Sequence, residues 1–402
     1  MTRLTRLGRP ASVESSEDAG RVIHRRPVES SEDYVESSEK PGHNSNELAS
    51  YPVESSEQAN NRPTNILSST HLAPFHSDNA AVMRLGSGRV GRWPMGTVHE
   101  LLEARGKQAA LAAGIDRCVV EAAAQYLADE DNALGFAYSG WAQCALPHKR
   151  LPDDATWGIS AERIRLMVEP GRRPLGDGTA SEFVGVPFGS HARLILLYLQ
   201  TEALRTGRRE VELGGSLREW LGRIGVSVGG MTGRSVRDQA ERISRCRLTF
   251  HLDTGGKSSG LVNQSIVDRA LFIDESDGRQ ARLTLETAKL SEGFFDQLKK
   301  HPVPLEEAAI KALSNNAPAL DCYLWLAYRL HALHSERLVT WQALKGQFGT
   351  AFRELYHFKP RFIGTLALAT AVYPGANVEL TQGGVILKPS RPPVAPKIVA
   401  IR

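Results

Sequence analysis

Residues 232–247 read TGRSVRDQAERISRCR. At about 100° per residue, Val236, Ala240, Ile243 and Arg247 fall on one helical stripe, and the first three are apolar. Arg234, Asp238, Glu241 and Arg245 fall opposite, with Arg237 and Arg242 at the flanks. Such a helix buries one face and shows the other to solvent or to a polyanion. The pairs Arg234/Asp238, Arg237/Glu241 and Glu241/Arg245 are opposite charges at i,i+4, which a merely solvated helix also carries. The helix alone leaves both readings open, and its surroundings separate them.

Outward from this stretch the elements have a definite order. Residues 190–206 predict a long amphipathic helix capped by Ser190, 209–213 a short strand, and 216–222 a short serine-capped helix. The glycine-rich turn 225–233 leads into the basic helix. Strands are predicted at 247–252 and 264–273, around the polar turn TGGKSSG at 254–260. This is the order of a winged helix, in which the basic helix takes the position that lies in the major groove of DNA.

The order then partly repeats. Helices are predicted at 304–313 and 318–333, a strand at 338–340, helices at 341–347 and 360–372, and a hairpin over 377–380 and 385–388. The third helix of this copy carries no charge over 362–372, and its basic residues, Arg353, His357, Lys359 and Arg361, sit at and before its start.

The flanks differ. The pentapeptide VESSE occurs four times within residues 1–57. Few large apolar residues surround it, so residues 1–95 are expected to be disordered. Residues 96–180 predict a mainly helical region, with helices at 97–103 and 107–127, a strand or buried segment at 135–146 and a strand at 164–169. The Pro/Gly stretch 170–178 is expected to be a boundary loop. The fold class is mainly α with small β-hairpins (α+β). Two tandem winged-helix domains, 181–280 and 281–390, follow the disordered segment and the helical region, and a basic, flexible tail, 391–402, ends the chain.

Composition narrows the classes. A formal charge of +4 permits a nucleic-acid partner without demanding one. Its distribution says more: residues 188–250 hold 11 Arg, no Lys and 6 acidic residues. Arginine suits planar contact to phosphate or guanine. The 4 cysteines are far apart in sequence, which argues against a disulfide framework or a cysteine-clustered metal site. No apolar run approaches the roughly 18 residues of a membrane span and no leader is apparent, so a cytoplasmic protein without a membrane partner is expected.

Motifs for chemistry fail on inspection. GSGRVG at 86–91 fits a dinucleotide fingerprint, but no convincing strand precedes it and Arg92-Trp93-Pro94 follows where a helix should start. Gly256-Lys257-Ser258 resembles the end of a phosphate-binding loop, yet Leu252 stands where a glycine is required. His331 and His334 lack a cysteine or carboxylate in register, so no metal and no cofactor is expected. A strand-nicking enzyme would need a nucleophilic tyrosine beside a metal cluster. No H-x-H triplet occurs, and Tyr323 and Tyr328 lie in a helix expected to be buried.

Five blocks resemble the plasmid-encoded RepA-type replication proteins: GVPFGSHARLILLYLQTEA (185–203), VRDQAERISRCRLTF (236–250), YLWLAYRL (323–330), ALPHKR with the four residues after it (145–154), and 372–389. The likeness spans roughly residues 96–393. It implies a replication initiator that binds double-stranded plasmid origin DNA and helps the host initiator and helicase open it, with a homodimer as one possible state. A transcriptional repressor with the same module is the alternative, and a strand-nicking enzyme the less favoured one. The helix geometry nominates the DNA-contacting residues: Thr232, Arg234, Ser235, Arg237, Arg242 and Arg245 on the basic helix, Lys257 on the wing, and Arg353, His357, Lys359 and Arg361 in the second copy. Residues 1–95 fall outside the resemblance. The second and third VESSE copies start seven codons apart, as DNA repeats read in frame would, and on that alternative translation starts at Met83 or Met95.

Overall fold

The computed structural model describes residues 82–85, 89–92, 97–161, 164–176, 178–223, 225–227, 229–253, 259–274 and 283–395. All of them belong to one unit, Phe75–Arg402. The VESSE copies, Lys257, Met95 and the tail from residue 396 lie outside the described residues. So does the disorder expected over 1–81.

Within the stretch expected to be disordered, β1 (Val82–Leu85) and β2 (Arg89–Arg92) pair as an antiparallel hairpin. A strand therefore does precede the glycine fingerprint, contrary to expectation. The second strand, rather than a helix, takes up its last three residues, so the dinucleotide context is still missing. Helices α1 (Thr97–Ala112) and α2 (Arg117–Leu127) come next. The helix expected over 107–127 is broken because Gly114 adopts φ 83° and Asp116 starts a new helix. The Asp116 carboxylate accepts from the Cys118 and Val119 amides at 2.8 and 3.4 Å.

The expected helical region is more strand than helix beyond this point. It contains β3 (Leu134–Tyr138), the short α3 (Ser139–Gln143), β4 (Trp157–Ser160), β5 (Ile164–Glu169), β6 (Gly171–Leu175) and β7 (Ala180–Gly185). The expected boundary loop at 170–178 is mostly β6, paired antiparallel with β7.

Then follow α4 (Gly189–Thr206), β8 (Glu210–Glu212), α5 (Gly214–Arg223), α6 (Gly230–Arg245), β9 (Arg247–Asp253), β10 (Ser259–Ser265), β11 (Val267–Asp274) and β12 (Leu283–Leu290). The expected serine caps are absent: α4 starts from an extended Phe188 with no side-chain cap, and α5 begins two residues before Ser216. The last part comprises α7 (Glu292–Lys300), β13 (Pro302–Glu306), α8 (Glu307–Leu313), α9 (Ala317–Arg329) with a 3-10 turn to Ala332, β14 (Arg337–Thr340), α10 (Trp341–Phe348), α11 (Leu355–Ala371), β15 (Val378–Leu380) and β16 (Gly384–Leu387). The whole is mixed α+β, with helices interleaved among small sheets.

Two groups of elements share one plan of helix, strand, helix, helix and two strands. They are α4, β8, α5, α6, β11, β12 and α9, β14, α10, α11, β15, β16. In both, the first strand pairs with the last, giving the orders β11-β12-β8 and β14-β16-β15. In the first group the hairpin β9–β10 is inserted and pairs instead with β5, in the sheet β10-β9-β5-β4. The single strand expected at 264–273 is thus two. The chain breaks at Ile266, which is fully buried and whose carbonyl accepts from the Ser291 amide at 3.0 Å. In sequence, Lys257 falls between β9 and β10, and residues 275–282 fall between β11 and β12.

Helix α4 is the central element. Leu194, Ile195 and Leu199 are no more than 1% exposed, which suits a helix packed against α6, α9 and β3 at once. Two of its buried polar residues are met by β3: the Tyr138 and Phe136 amides donate to Gln200 Oε1 and Thr201 Oγ1 at 2.7 and 2.9 Å. That strand, β3, pairs with β13 across more than 160 residues of chain. Residues before 180 are therefore integral to the core.

Candidate nucleic-acid interface

Helix α6 is held from two sides. Val236, Ala240 and Ile243 are buried, as their stripe predicts. Gln239 is also buried, and its Oε1 accepts from the Phe188 amide at 2.8 Å, fixing α6 to the start of α4. At the other end, the β6–β7 hairpin lies against α6: Arg173 donates to Glu241 at 3.2 Å, and Arg245 donates to Glu241 at 3.1 Å and to the Arg172 carbonyl at 3.1 Å.

Arg242 is not a surface residue. Its side chain is 2% exposed. It donates to Asp238 at 2.9 Å, to Asp153 at 3.2 Å and to the Val186 carbonyl at 3.4 Å, with the Phe188 ring 5.3 Å away. Burial pushes the Asp153 carboxyl up, but the hydrogen bonds from Arg150 and Arg242 outweigh it and hold the group below the usual carboxylate range. Arg242 is thus a positioning residue, a correction to its expected DNA contact. Its flank of the helix is covered by the 153 and 185–188 segments.

The remaining nominated residues fall in different settings. Arg234 is exposed on the first turns of α6 and Arg237 is half-buried. Thr232 and Ser235 are half-buried, and Ser235 Oγ hydrogen-bonds His191 Nδ1 at 2.9 Å. Arg245 is half-buried in the contacts to Glu241 and Arg172. In the second group, α11 begins at Leu355, five residues earlier than expected, so His357, Lys359 and Arg361 lie within the helix and only Arg353 precedes it. Arg353 has a 96% exposed side chain, 3.7 Å from Glu354. His357 and Arg361 are exposed, and the Lys359 ammonium sits 5.5 Å from the Trp341 ring centre.

Both third helices are exposed only near their N-terminal turns. Helix α11 packs against α2 and β1, its C-terminal half is largely buried, and His99 of α1 hydrogen-bonds the Ala371 carbonyl at 2.9 Å. Only the N-terminal turns of α11 reach solvent broadly. A cleft of about 400 Å³ opens there, lined by Asp116, His148, Phe352, Arg361 and Thr365 among others. In α6 the exposed residues, Gly230, Met231 and Arg234, likewise lie on the first turn and a half.

Two features were missed from sequence. One is the Arg172–Arg173 pair on β6, which adds guanidinium groups beside the end of α6; its signal was the adjacent arginines in GRRPL. The other is the exposed apolar residue on the first turn of each third helix, Met231 and Tyr356.

The groups expected to be inert have local partners. Tyr323 is 1% exposed and its hydroxyl accepts from the Glu306 amide at 3.2 Å. His331 hydrogen-bonds the Ala327 carbonyl at 2.8 Å. All four cysteines are free thiols. Among the described residues, no three His, Cys, Asp or Glu side chains form a metal-ligand cluster, and no helix is long and apolar enough to cross a membrane.

Solved structures of RctB resemble this chain at low identity. The crystal structure of selenomethionine derivatives of its domains 2 and 3 is 13% identical, covers 64% of this chain and 99% of that one, and gives a TM-score of 0.41. A second crystal structure of RctB domains 2–3 is 13% identical, covers 62% and 94%, and gives 0.37. No curated protein matches the sequence. A family model does match, over residues 186–343, from the strand end before α4 to the first turn of α10. That segment, which contains the basic helix α6, is similar to the family described as the plasmid-encoded RepA protein.

Proposed function

We propose that this chain is a non-enzymatic plasmid replication initiator. It binds duplex DNA at the plasmid origin through two winged-helix units, in the cytoplasm, and helps the host machinery open the duplex. The observation that carries the reading is the repeated plan with its first strand beside its last, in a chain whose first copy presents Arg234 and Arg237 on the third helix. The RepA family match over that copy supports the purpose. Unit one reads the major groove with α6. Unit two contributes the N-terminal turns of α11, since its remainder is covered.

The test is footprinting of the full chain on its own plasmid's origin region, with Arg234/Arg237 and Arg353/Arg361 replaced by alanine in turn. Protection of repeated sites, lost in the first double variant and shortened in the second, is the expected result. Unchanged protection in both would overturn the placement. Protection without duplex opening would make the chain a repressor, and a covalent tyrosine–DNA adduct would make it a nicking enzyme.

A further inference from the structure

Among the described residues, six large apolar side chains are exposed, four of them between 37% and 55%. Met231 stands out at 83% and Tyr356 at 67%. These two occupy the same place in the repeated plan: Met231 is the second residue of α6 and Tyr356 the second residue of α11. The two units share little local sequence there, GMTG against LYHF. The coincidence is therefore one of position and exposure.

The chemistry around each is alike. Arg234 lies three residues after Met231, on the same side of the helix and exposed. Arg353 lies three residues before Tyr356 and is almost fully exposed, and the His357 ring sits 3.9 Å from the Tyr356 ring. Each tip thus sets an apolar side chain beside cationic groups, at the end of the helix that enters the major groove in modules of this plan. Thymine displays a methyl group in that groove, and apolar side chains recognise it there. Gly229 and Gly230 precede Met231 with nothing near their Cβ positions, Gly230 at φ 50°, so the backbone at this tip can approach DNA closely.

We propose that Met231 and Tyr356 are specificity-determining residues, each meeting thymine methyl groups in the major groove while the neighbouring cations hold phosphates. The proposal rests on the initiator reading above and adds to it a base preference at the tip of each unit.

The experiment compares the full chain with Met231→Ala and Tyr356→Ala on two forms of the origin fragment, one natural and one with uracil in place of thymine. Both side chains are exposed, so melting curves of the variants should match the parent. On natural DNA each variant is expected to lose at least about fourfold in affinity, the value of one buried methyl contact, with an unchanged salt slope. On uracil DNA the parent should weaken and the variants should weaken less, since their contact is already gone. Parent-like binding of either variant to natural DNA overturns the assignment of that residue, as does an equal loss on uracil DNA by parent and variant. If the variants instead dissociate a dimer and bind DNA unchanged per dimer, the tips are contacts between copies and the proposal is overturned. If the parent shows no preference for its origin over random duplex, the initiator reading itself falls, a distinct outcome.

Discussion

Arg193 of α4 and Asp321 of α9 form a bidentate ion pair at 2.6 and 2.7 Å, joining the first helix of one unit to the first helix of the other. Both side chains are under a tenth exposed. Arg193 also donates to the carbonyls of Leu146, Pro147 and Gly189, and His148 hydrogen-bonds Asp321 at 2.8 Å. The ALPHKR segment is thereby wrapped around the pair, tying it to the joint between the units. Arg193→Ala leaves a buried carboxylate with only His148, and is expected to cost about 3–5 kcal/mol, the usual result of breaking a buried pair from one side. Urea unfolding of the full chain measures it. A loss below about 1 kcal/mol would mean that water or His148 replaces the guanidinium.

The same pair predicts an acid dependence. Burial pushes the Asp321 carboxyl up, but the charge of Arg193 and the hydrogen bonds from His148 and Arg193 outweigh it and place the group below its ordinary range. A carboxyl lowered by folding adds stability that is present above its unfolded value, about 3.9, and is lost as pH falls toward the folded value. Asp321→Asn should therefore be less stable than the parent at neutral pH and should show a shallower fall in stability below about pH 4. Parallel pH–stability curves for the two proteins would remove Asp321 from the acid response.

Arg234 and Arg242 should separate binding from folding. Arg234→Ala is expected to leave the melting temperature unchanged. It should weaken origin binding by about 1–3 kcal/mol if it meets a base, or reduce the salt slope by about one if it meets a phosphate. Arg242→Ala removes a buried guanidinium whose partners Asp153 and Asp238 keep about four-tenths of their exposure. Water can serve those carboxylates, so the loss should be nearer about 1.5–3 kcal/mol, that of hydrogen bonds to charged groups, than the cost at Arg193. The salt slope of binding by the folded Arg242→Ala protein should not change. A lowered slope with normal stability would return Arg242 to the DNA surface.

These two arginines also show how far the sequence could be read. The apolar stripe Val236, Ala240, Ile243 located the buried face of α6 correctly, because a 3.6-residue period is local information. Arg242 sits roughly 120° from that stripe, and what covers it comes from residues 153 and 185–188, more than 50 positions away. Nothing local distinguishes it from Arg237. Sheet pairing was hidden for the same reason. Residues 247–252 read as a strand, but its neighbour β5 lies about 80 residues upstream. The helix order of the second copy was legible through Pro374-Gly375 and the hairpin turn, while the early start of α11 was masked by Pro360, which the helix accommodates in its second turn.

Gly185 offers the sharpest test of the packing behind α6. It adopts φ 82°, and a Cβ there would lie 2.1 Å from Arg242 Nη1 and 2.6 Å from Asp153 Oδ1. Alanine at this position is strained by its backbone and displaces the guanidinium as well. Gly185→Ala should cost more than about 1 kcal/mol from the left-handed conformation alone, plus part of the value of the Arg242 contacts. Combining Gly185→Ala with Arg242→Ala removes the closer of the two clashes, that with the guanidinium, so the double variant should be more stable than the sum of the single losses predicts, by a coupling of at least about 0.5 kcal/mol. Additive losses would mean that Arg242 moves aside freely and that Gly185 is required for its φ angle only. Origin binding provides the second reading of the same cycle. If Arg242 acts by positioning α6, the affinity of the folded double variant should follow that of Arg242→Ala rather than falling further.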